Sequence, residues 1–315
     1  MSLSAPDARI RGLRTPKAYV DPFRAHGSVR EKERRPAGNI EETLTVFLAG
    51  AECPFACSFC DLWKWTIDGP TPPGALTTQL ENALASLEGP LPHRVKLYNA
   101  SNFFDPRAVP VADLTGIASL LQSFDGVTVE SHASTIGRRA VAFSRSISPR
   151  LEVAMGLETI HPRALAESNK RLDLARFDRA AAFLRQNEID VRVFVLLGAP
   201  FVPLSETVEW TIRSVEYAAQ RGASIVSIVP VRGGNGELER LQSLGDFTPP
   251  TLAQLEQALS ESQRFSELVV TADLWDVDRL PACSRCKAER VARLSRANLT
   301  GRLEGTLSCE ACAVA

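Results

Sequence analysis

Six apolar runs interleaved with helix-like stretches set the narrowest limit on what this chain can become. They read LTVFLAG (44–50), VKLYNA (95–100), VTVESH (127–132), LEVAMGLE (151–158), DVRVFVLLG (190–198) and SIVSIVPV (224–231). Their density of Val, Ile, Leu and Phe fits strands buried on both faces, as in a parallel sheet. Helical candidates lie between them at GALTTQLENALASLE, VADLTGIASLLQSF, RRAVAFSRSI, residues 162–187 and SETVEWTIRSVEYAAQRG. The last has a cap signal at Ser205 and Glu206 and a stop at Gly222. A further helix around residues 251–265 follows the sixth strand. Such β–α pairs in succession predict an α/β fold with a wound parallel sheet, open or curled into part of a barrel. In both forms function collects in the loops after the carboxyl ends of the strands. Those loops carry Asn99, Ser101 and Asn102; Glu130 and His132; Glu158 and Thr159; Arg232 and Asn235.

The 315 residues, 44% of them hydrophobic, are enough for one large α/β domain and a small appendage. Apolar runs fall well short of the roughly 18 residues that span a bilayer. The first residues also lack the apolar region of a signal peptide. The expectation is a cytoplasmic protein with no membrane partner, a monomer or weak oligomer, whose cysteines stay reduced and available to metal. The net charge of −1 divides unevenly: +5 over residues 1–40, +3 over 283–315, and −9 between. Basic ends on an acidic body suit contact with a polyanion such as tRNA, and equally a solvated basic arm.

Three of the seven cysteines fall within CPFACSFC, directly after the first apolar run. A structural zinc site closes a tetrahedron with four protein ligands, whereas Cys53, Cys57 and Cys60 supply three. On a 4Fe–4S cluster three thiolates leave one iron open to an outside ligand. A distant fourth ligand would restore the zinc reading. The other four cysteines form two C-x2-C pairs, Cys283/Cys286 and Cys309/Cys312. Paired knuckles of this kind hold zinc, and four thiolates also suit a second, auxiliary 4Fe–4S cluster. A glycine-rich string, RGGNGELERL, lacks the lysine and spacing of a phosphate loop. It serves either as a backbone anion site beside Arg232 or as a connector.

The C-x3-C-x2-C motif after the first strand of a β/α series resembles the signature of the radical S-adenosylmethionine (radical SAM) superfamily. That resemblance implies a partial (β/α)6, TIM-like barrel of parallel strands with a small C-terminal four-cysteine metal-binding tail. The boundaries it suggests are a basic extension over 1–40, a core over 41–270 and a tail over 271–315. It implies that an open cluster on Cys53, Cys57 and Cys60 chelates S-adenosylmethionine. Reductive cleavage would give a 5′-deoxyadenosyl radical that abstracts hydrogen from a substrate. Phe59 matches the position where the family packs an aromatic on the adenine. The family's usual Gly-Gly-Glu-like stretch is replaced here by YNASNFFD, leaving Asn99, Ser101 and Asn102 as acceptors for the cofactor's ammonium or as plain turn residues. Glu158 would take the ribose diol, or else pair with Lys170 or Arg171. Glu130, His132 and Arg232 are the pocket candidates for catalysis. His161 reads as a turn residue.

ECPFACSFCDLWKW, KLYNASNFFDP, GLETIHPRAL and VPVRGGNG resemble one branch of that superfamily, which includes the Elongator catalytic subunit and the archaeosine synthase radical subunit. This resemblance implies a tRNA nucleoside as substrate and a flavodoxin or ferredoxin as reductant. Two rival functions remain from the residues themselves. One is a radical enzyme acting on a small metabolite or natural-product intermediate. The other is a non-catalytic Fe–S or zinc-binding module.

Overall fold

The computed structural model describes residues 4–305 together with 307, 309 and 311. Its elements, in chain order, begin with α1 (Ala5–Gly12), β1 (Gly27–Arg34) and β2 (Ile40–Phe47), then α2 (Ala75–Ala85), β3 (Arg94–Tyr98), α3 (Val111–Leu120) and β4 (Gly126–Glu130). There follow α4 (Arg138–Ser146), β5 (Arg150–Glu158), α5 (Pro162–Glu167), α6 (Leu174–Gln186) and β6 (Asp190–Leu197). The last third holds α7 (Thr207–Gln220), β7 (Ile225–Pro230), α8 (Glu237–Ser243), α9 (Leu252–Ser262), β8 (Val269–Ala272) and α10 (Lys287–Thr300).

The strands form one eight-stranded sheet in sequence order, and it curls into a half-barrel. β2 to β8 run parallel, so the six apolar runs of the sequence are β2 to β7. Two strands lacked such a signal. β1, GSVREKER, is charged and largely exposed, and it pairs antiparallel with β2. β8 has four residues and adds a seventh parallel strand beside β7. The expected helix over 162–187 is two helices, because Asn169 and Arg171 take positive φ between α5 and α6. α9, the helix expected around 251–265, opens with a capping box of Thr251 and Gln254. α7 differs: Ser205 lies in a preceding 3-10 turn and Glu206 makes no side-chain cap bond.

Alternation along the strands separates two kinds of buried surface. One face carries Leu44, Val46, Leu97, Val129, Val153 and Val193 into the main core beneath the helices. That burial is the chief favourable term in folding. The opposite, inner face is polar, although the sequence suggested apolar packing on both sides. Near the amino ends of the strands it holds Lys96, Thr128, Glu152 and Arg192, joined by Glu33 and Arg35 from the β1 hairpin. Glu152 accepts from Arg192 Nε at 2.8 Å, Arg35 Nη2 at 2.9 Å and Thr128 Oγ1 at 2.9 Å. Glu33 accepts from both Arg192 Nη atoms at 2.8 and 2.7 Å and lies 2.8 Å from Lys96 Nζ. Burial would raise the Glu152 carboxyl; Arg192 and Arg35 overcome it and bring it down to about 2. Charges taken out of water survive only when paired in this way.

α10 closes the seam of the half-barrel by packing against both edge strands, β1 and β8. The Asn298 amide accepts from Ala272 N–H and donates to Ala272 C=O, both at 2.8 Å, as a neighbouring strand would. Arg290 and Arg293 pair with Glu256 on α9, and the helix ends at Gly301, where φ is 76°. Cys286 is the residue before its first turn, so the tail cysteines stand at the start of this seal.

Candidate active site

The loop after β2 carries Cys53, Cys57 and Cys60 across the carboxyl ends of the strands. CPFACSFC has no regular structure of its own, so its shape is imposed by neighbours. Asn102 Nδ2 donates to Cys53 Sγ at 3.4 Å. Asn169 Nδ2 donates to Ala56 O at 2.7 Å, and Asn235 Nδ2 to Ser58 O at 2.8 Å. The Phe55 ring stacks on His132, with centroids 4.3 Å apart. The amino-terminal segment straps the same loop from outside. Arg11 and Arg14 bind Glu52 at 2.5 and 2.8 Å, and Arg14 lies over Trp63 at 4.9 Å. Lys17 reaches Thr66 O at 2.8 Å, while buried Asp7 pairs with Arg171. At Gly236 a Cβ would collide with the Leu13 carbonyl, so the strap crosses where only glycine fits. The arm's described residues are thus fastened rather than loosely solvated.

Burial lifts the thiol of Cys57 strongly, and that of Cys60 to about 12. Metal binding is what turns buried thiols of this kind into thiolates. Beside them, the turn after β3 presents polar atoms with no use inside the protein. Asn99 is fully buried, yet its Oδ1 and Nδ2 have no hydrogen-bond partner among the described residues, nor does Ser101 Oγ. Orphaned atoms of this kind are rare unless a ligand completes them. Glu130 Oε1 accepts Asn99 N–H at 2.9 Å, and the N–H groups of Ala100 and Ser101 also face its carboxylate. Burial outweighs those donors and raises Glu130 to about 7.

A narrow recess of about 10 Å³ lies between the ends of β5 and β6, lined by Phe59, Glu158, Lys170, Leu196 and Ala199 among others. Phe59 and Glu158, the residues expected at the adenine and ribose, therefore share one recess. Glu158 adopts φ of 67° and pairs with Lys170 Nζ at 2.5 Å. Burial would lower the Lys170 amine, but Glu158 and the nearby thiols raise it, so it stays charged. His132 is anchored by its backbone and Nδ1, while its Nε2 is buried without a partner among the described residues. Its backbone N–H donates to Asn102 Oδ1 at 2.7 Å, and its Nδ1 accepts from Ser134 N–H at 3.1 Å. Burial and then the Lys170 charge push its ring down to about 3, leaving it neutral. Arg232 is turned to Asp273 at 3.0 Å. The glycine string beside it holds its own anion: Gly234 and Gly236 N–H donate to the Glu239 carboxylate at 2.5 and 2.7 Å. His161 caps α5 by accepting from Ala164 N–H at 3.2 Å.

Lys170 is the partner the sequence offered Glu158, whereas Asn169 has no such signal beyond its place at a helix break, where Asn tolerates positive φ. In the tail, the sulfurs of Cys283, Cys286 and Cys309 lie within 4.8 Å of one another, and Cys283 and Cys309 are 3.9 Å apart. Cys312 lies outside the described residues.

No protein-family model matches the chain. It is 26% identical over 233 residues to archaeosine synthase subunit beta of Methanosarcina acetivorans, covering 70% of this chain and 67% of that protein. Among solved structures, methylornithine synthase (PylB) superposes with TM-score 0.54 at 15% identity, covering 80% of this chain and 67% of that one. A radical SAM methyltransferase from Sphaerobacter thermophilus gives 0.53 at 14%, covering 78% and 73%. Elp3 of Methanocaldococcus infernus, lacking its N-terminus, gives 0.52 at 11%, covering 73% and 60%. Fold, cysteine loop and curated relative together mark the chain as a radical S-adenosylmethionine enzyme. Within that class it resembles archaeosine synthase subunit beta in sequence and Elp3 in fold.

Proposed function

We propose that the chain cleaves S-adenosylmethionine reductively and turns the resulting radical on a nucleoside in tRNA. Cys53, Cys57 and Cys60 would hold the 4Fe–4S cluster. When bound, that cluster supplies the electron that breaks the cofactor's C5′–S bond. The protein's own part is to orient and enclose. Asn99 and Ser101 offer the unpaired acceptors an ammonium group needs, and Asn99 carries the reading because both its amide atoms are buried without partners. Phe59 would cover the adenine. Glu158, turned from Lys170, would take the ribose hydroxyls. Glu130, raised to about 7, is placed to hold or release a proton. The tRNA assignment is supported by the relatives' branch and by the basic charge of both ends.

In the tail, Cys283, Cys286 and Cys309 would hold one zinc ion, with Cys312 as fourth ligand. The 3.9 Å between Cys283 and Cys309 supports this. Two thiolates on one tetrahedral zinc sit about 3.8 Å apart, given Zn–S bonds of about 2.3 Å. Ligands of a cubane bind different irons and stand farther apart. The bound metal would then fix the start of α10, and so the seal of the barrel.

Anaerobic reconstitution with metal counting, followed by an assay for 5′-deoxyadenosine, tests the first claim. About four irons and one zinc per chain, with cofactor cleavage under strong reductant, are expected. About eight irons would move the tail to a second cluster, and no cleavage would leave only a metal-binding module. Filter binding of tRNA, steeply weakened by salt, is the outcome expected for a nucleic-acid substrate. Cleavage without tRNA binding would transfer the assignment to a small metabolite.

A further inference from the structure

Each asparagine that touches the cysteine loop comes from a different β–α connection. Asn102 follows β3, Asn169 follows α5, and Asn235 follows β7. Their amides meet the loop at Cys53, at Ala56, and at Ser58 with Cys60, so the contacts span it from end to end. The other amide oxygen of two of them is also committed. Asn102 Oδ1 accepts from His132 N–H at 2.7 Å, and Asn235 Oδ1 from Leu238 N–H at 2.8 Å. Asn102 and Asn235 are almost fully buried, and a buried amide satisfied on both sides cannot turn over. Of the three, Asn102 is the one whose donor reaches a sulfur rather than a carbonyl. Peptide N–H groups of Phe55 and Leu62 also face Cys53 and Cys60, but they belong to the loop itself and its immediate continuation.

We propose that Asn102 is a positioning residue for the cluster, and that its N–H···Sγ bond to Cys53 sets how readily that cluster accepts an electron. This rests on the reading of Cys53, Cys57 and Cys60 as cluster ligands. A donor aimed at a ligand sulfur withdraws charge from the iron–thiolate bond and favours the reduced state, which carries one more negative charge. Asn169 and Asn235 hold the backbone, so they govern how firmly the loop keeps its shape but leave the sulfur untouched. The arrangement separates retention of the cluster from its electron affinity.

The test compares reconstituted wild type, Asn102→Asp, Asn102→Ala and Asn235→Ala by potentiometric titration followed by electron paramagnetic resonance. Asn102→Asp keeps the acceptor for His132 N–H and loses the donor to sulfur. Asn102→Ala removes the donor without adding charge. Both should move the midpoint to more negative potential, with roughly a tenfold smaller reduced-to-oxidised ratio at a fixed poise, the loss of one charge-assisted hydrogen bond. Asn235→Ala should hold less iron per chain but titrate at the wild-type potential. A shift in Asn102→Asp alone would assign the effect to the added charge and overturn the proposal, as would equal shifts in the Asn102 and Asn235 variants. If the wild type titrates as a SAM-responsive cluster and both Asn102 variants match it, this inference fails and the functional reading stands. If the wild type takes up no cluster, both fall together. Circular dichroism of the metal-free variants, expected to match the wild type, shows that the fold is not what moved.

Discussion

The inner face of the half-barrel carries buried polar side chains at both ends, but the two ends treat polarity differently. At the floor, Glu33, Arg35, Lys96, Glu152 and Arg192 satisfy one another, with Glu152 alone taking three hydrogen bonds. At the mouth, Asn99 and Ser101 are equally removed from water and have no partner among the described residues. The same strands build both ends, so the difference is not one of burial. A floor whose charges pair with one another gives the barrel a fixed end, although Arg94 and Thr43 there also keep side-chain atoms without a partner among the described residues. A mouth with unsatisfied donors and thiols is incomplete until a ligand arrives.

The sharpest break in that contrast is at the mouth. Cys57→Ala should drop iron from about four per chain to near none and abolish 5′-deoxyadenosine release together, measured by metal analysis and chromatography. The fold should persist, because no residue of the cysteine loop belongs to the main core beneath the helices. The floor answers in the opposite way. Glu152→Ala leaves Arg192 and Arg35 buried without their shared carboxylate, and should cost about 3–5 kcal/mol in urea unfolding. Its effect on iron content should be small wherever the protein stays folded.

Glu130, at the mouth end of β4, tests the contrast by pH. Its carboxyl is raised from 4.5 to about 7, so the folded state holds a proton that the unfolded chain releases. Stability from this group is full below pH 4.5 and is lost as pH climbs towards 7. Glu130→Gln should remove up to about 3 kcal/mol of that decline in the metal-free protein. Glu152, brought down to about 2, gives the reverse slope: its stability is present above 4.5 and lost as pH falls towards 2. Denaturant titrations across pH 3 to 8 in the two variants separate these slopes. The smallest effect belongs to Asn99→Ala. It should weaken S-adenosylmethionine binding about tenfold, the loss of one or two hydrogen bonds to a charged group, and leave the unfolding midpoint nearly unchanged. A large loss of stability there would mean that Asn99 serves the fold instead.

What was legible in the sequence follows the same division. Apolar runs announced β2 to β7, and cysteine spacing announced the cluster loop, because both are local patterns. β1 was hidden: its charged residues read as a solvated arm, and their partners Lys96, Glu152 and Arg192 lie far along the chain. The polar inner face was masked for a related reason, since single charges inside strongly apolar runs do not disturb the pattern. Glu158 and Phe59 were found through a family resemblance, and their shared recess was then a matter of folding. Asn169 and the bracing role of His132 depend on contacts between separate loops, which no local motif encodes. The glycine string misled in one respect, because the anion for its N–H groups is Glu239, five residues after Gly234.

The seam sealed by α10 also decides what the molecule does with its two sheet margins. An uncovered strand margin is a template on which another chain can add its own strand, and runaway addition ends in aggregates. Here one margin, β8, has its Ala272 peptide groups taken by Asn298, and the other, β1, bristles with Arg30, Lys32 and Arg34. Losing the grip of α10 would therefore do more than open the barrel. It would bare a short apolar strand, Val269–Ala272, to any passing chain.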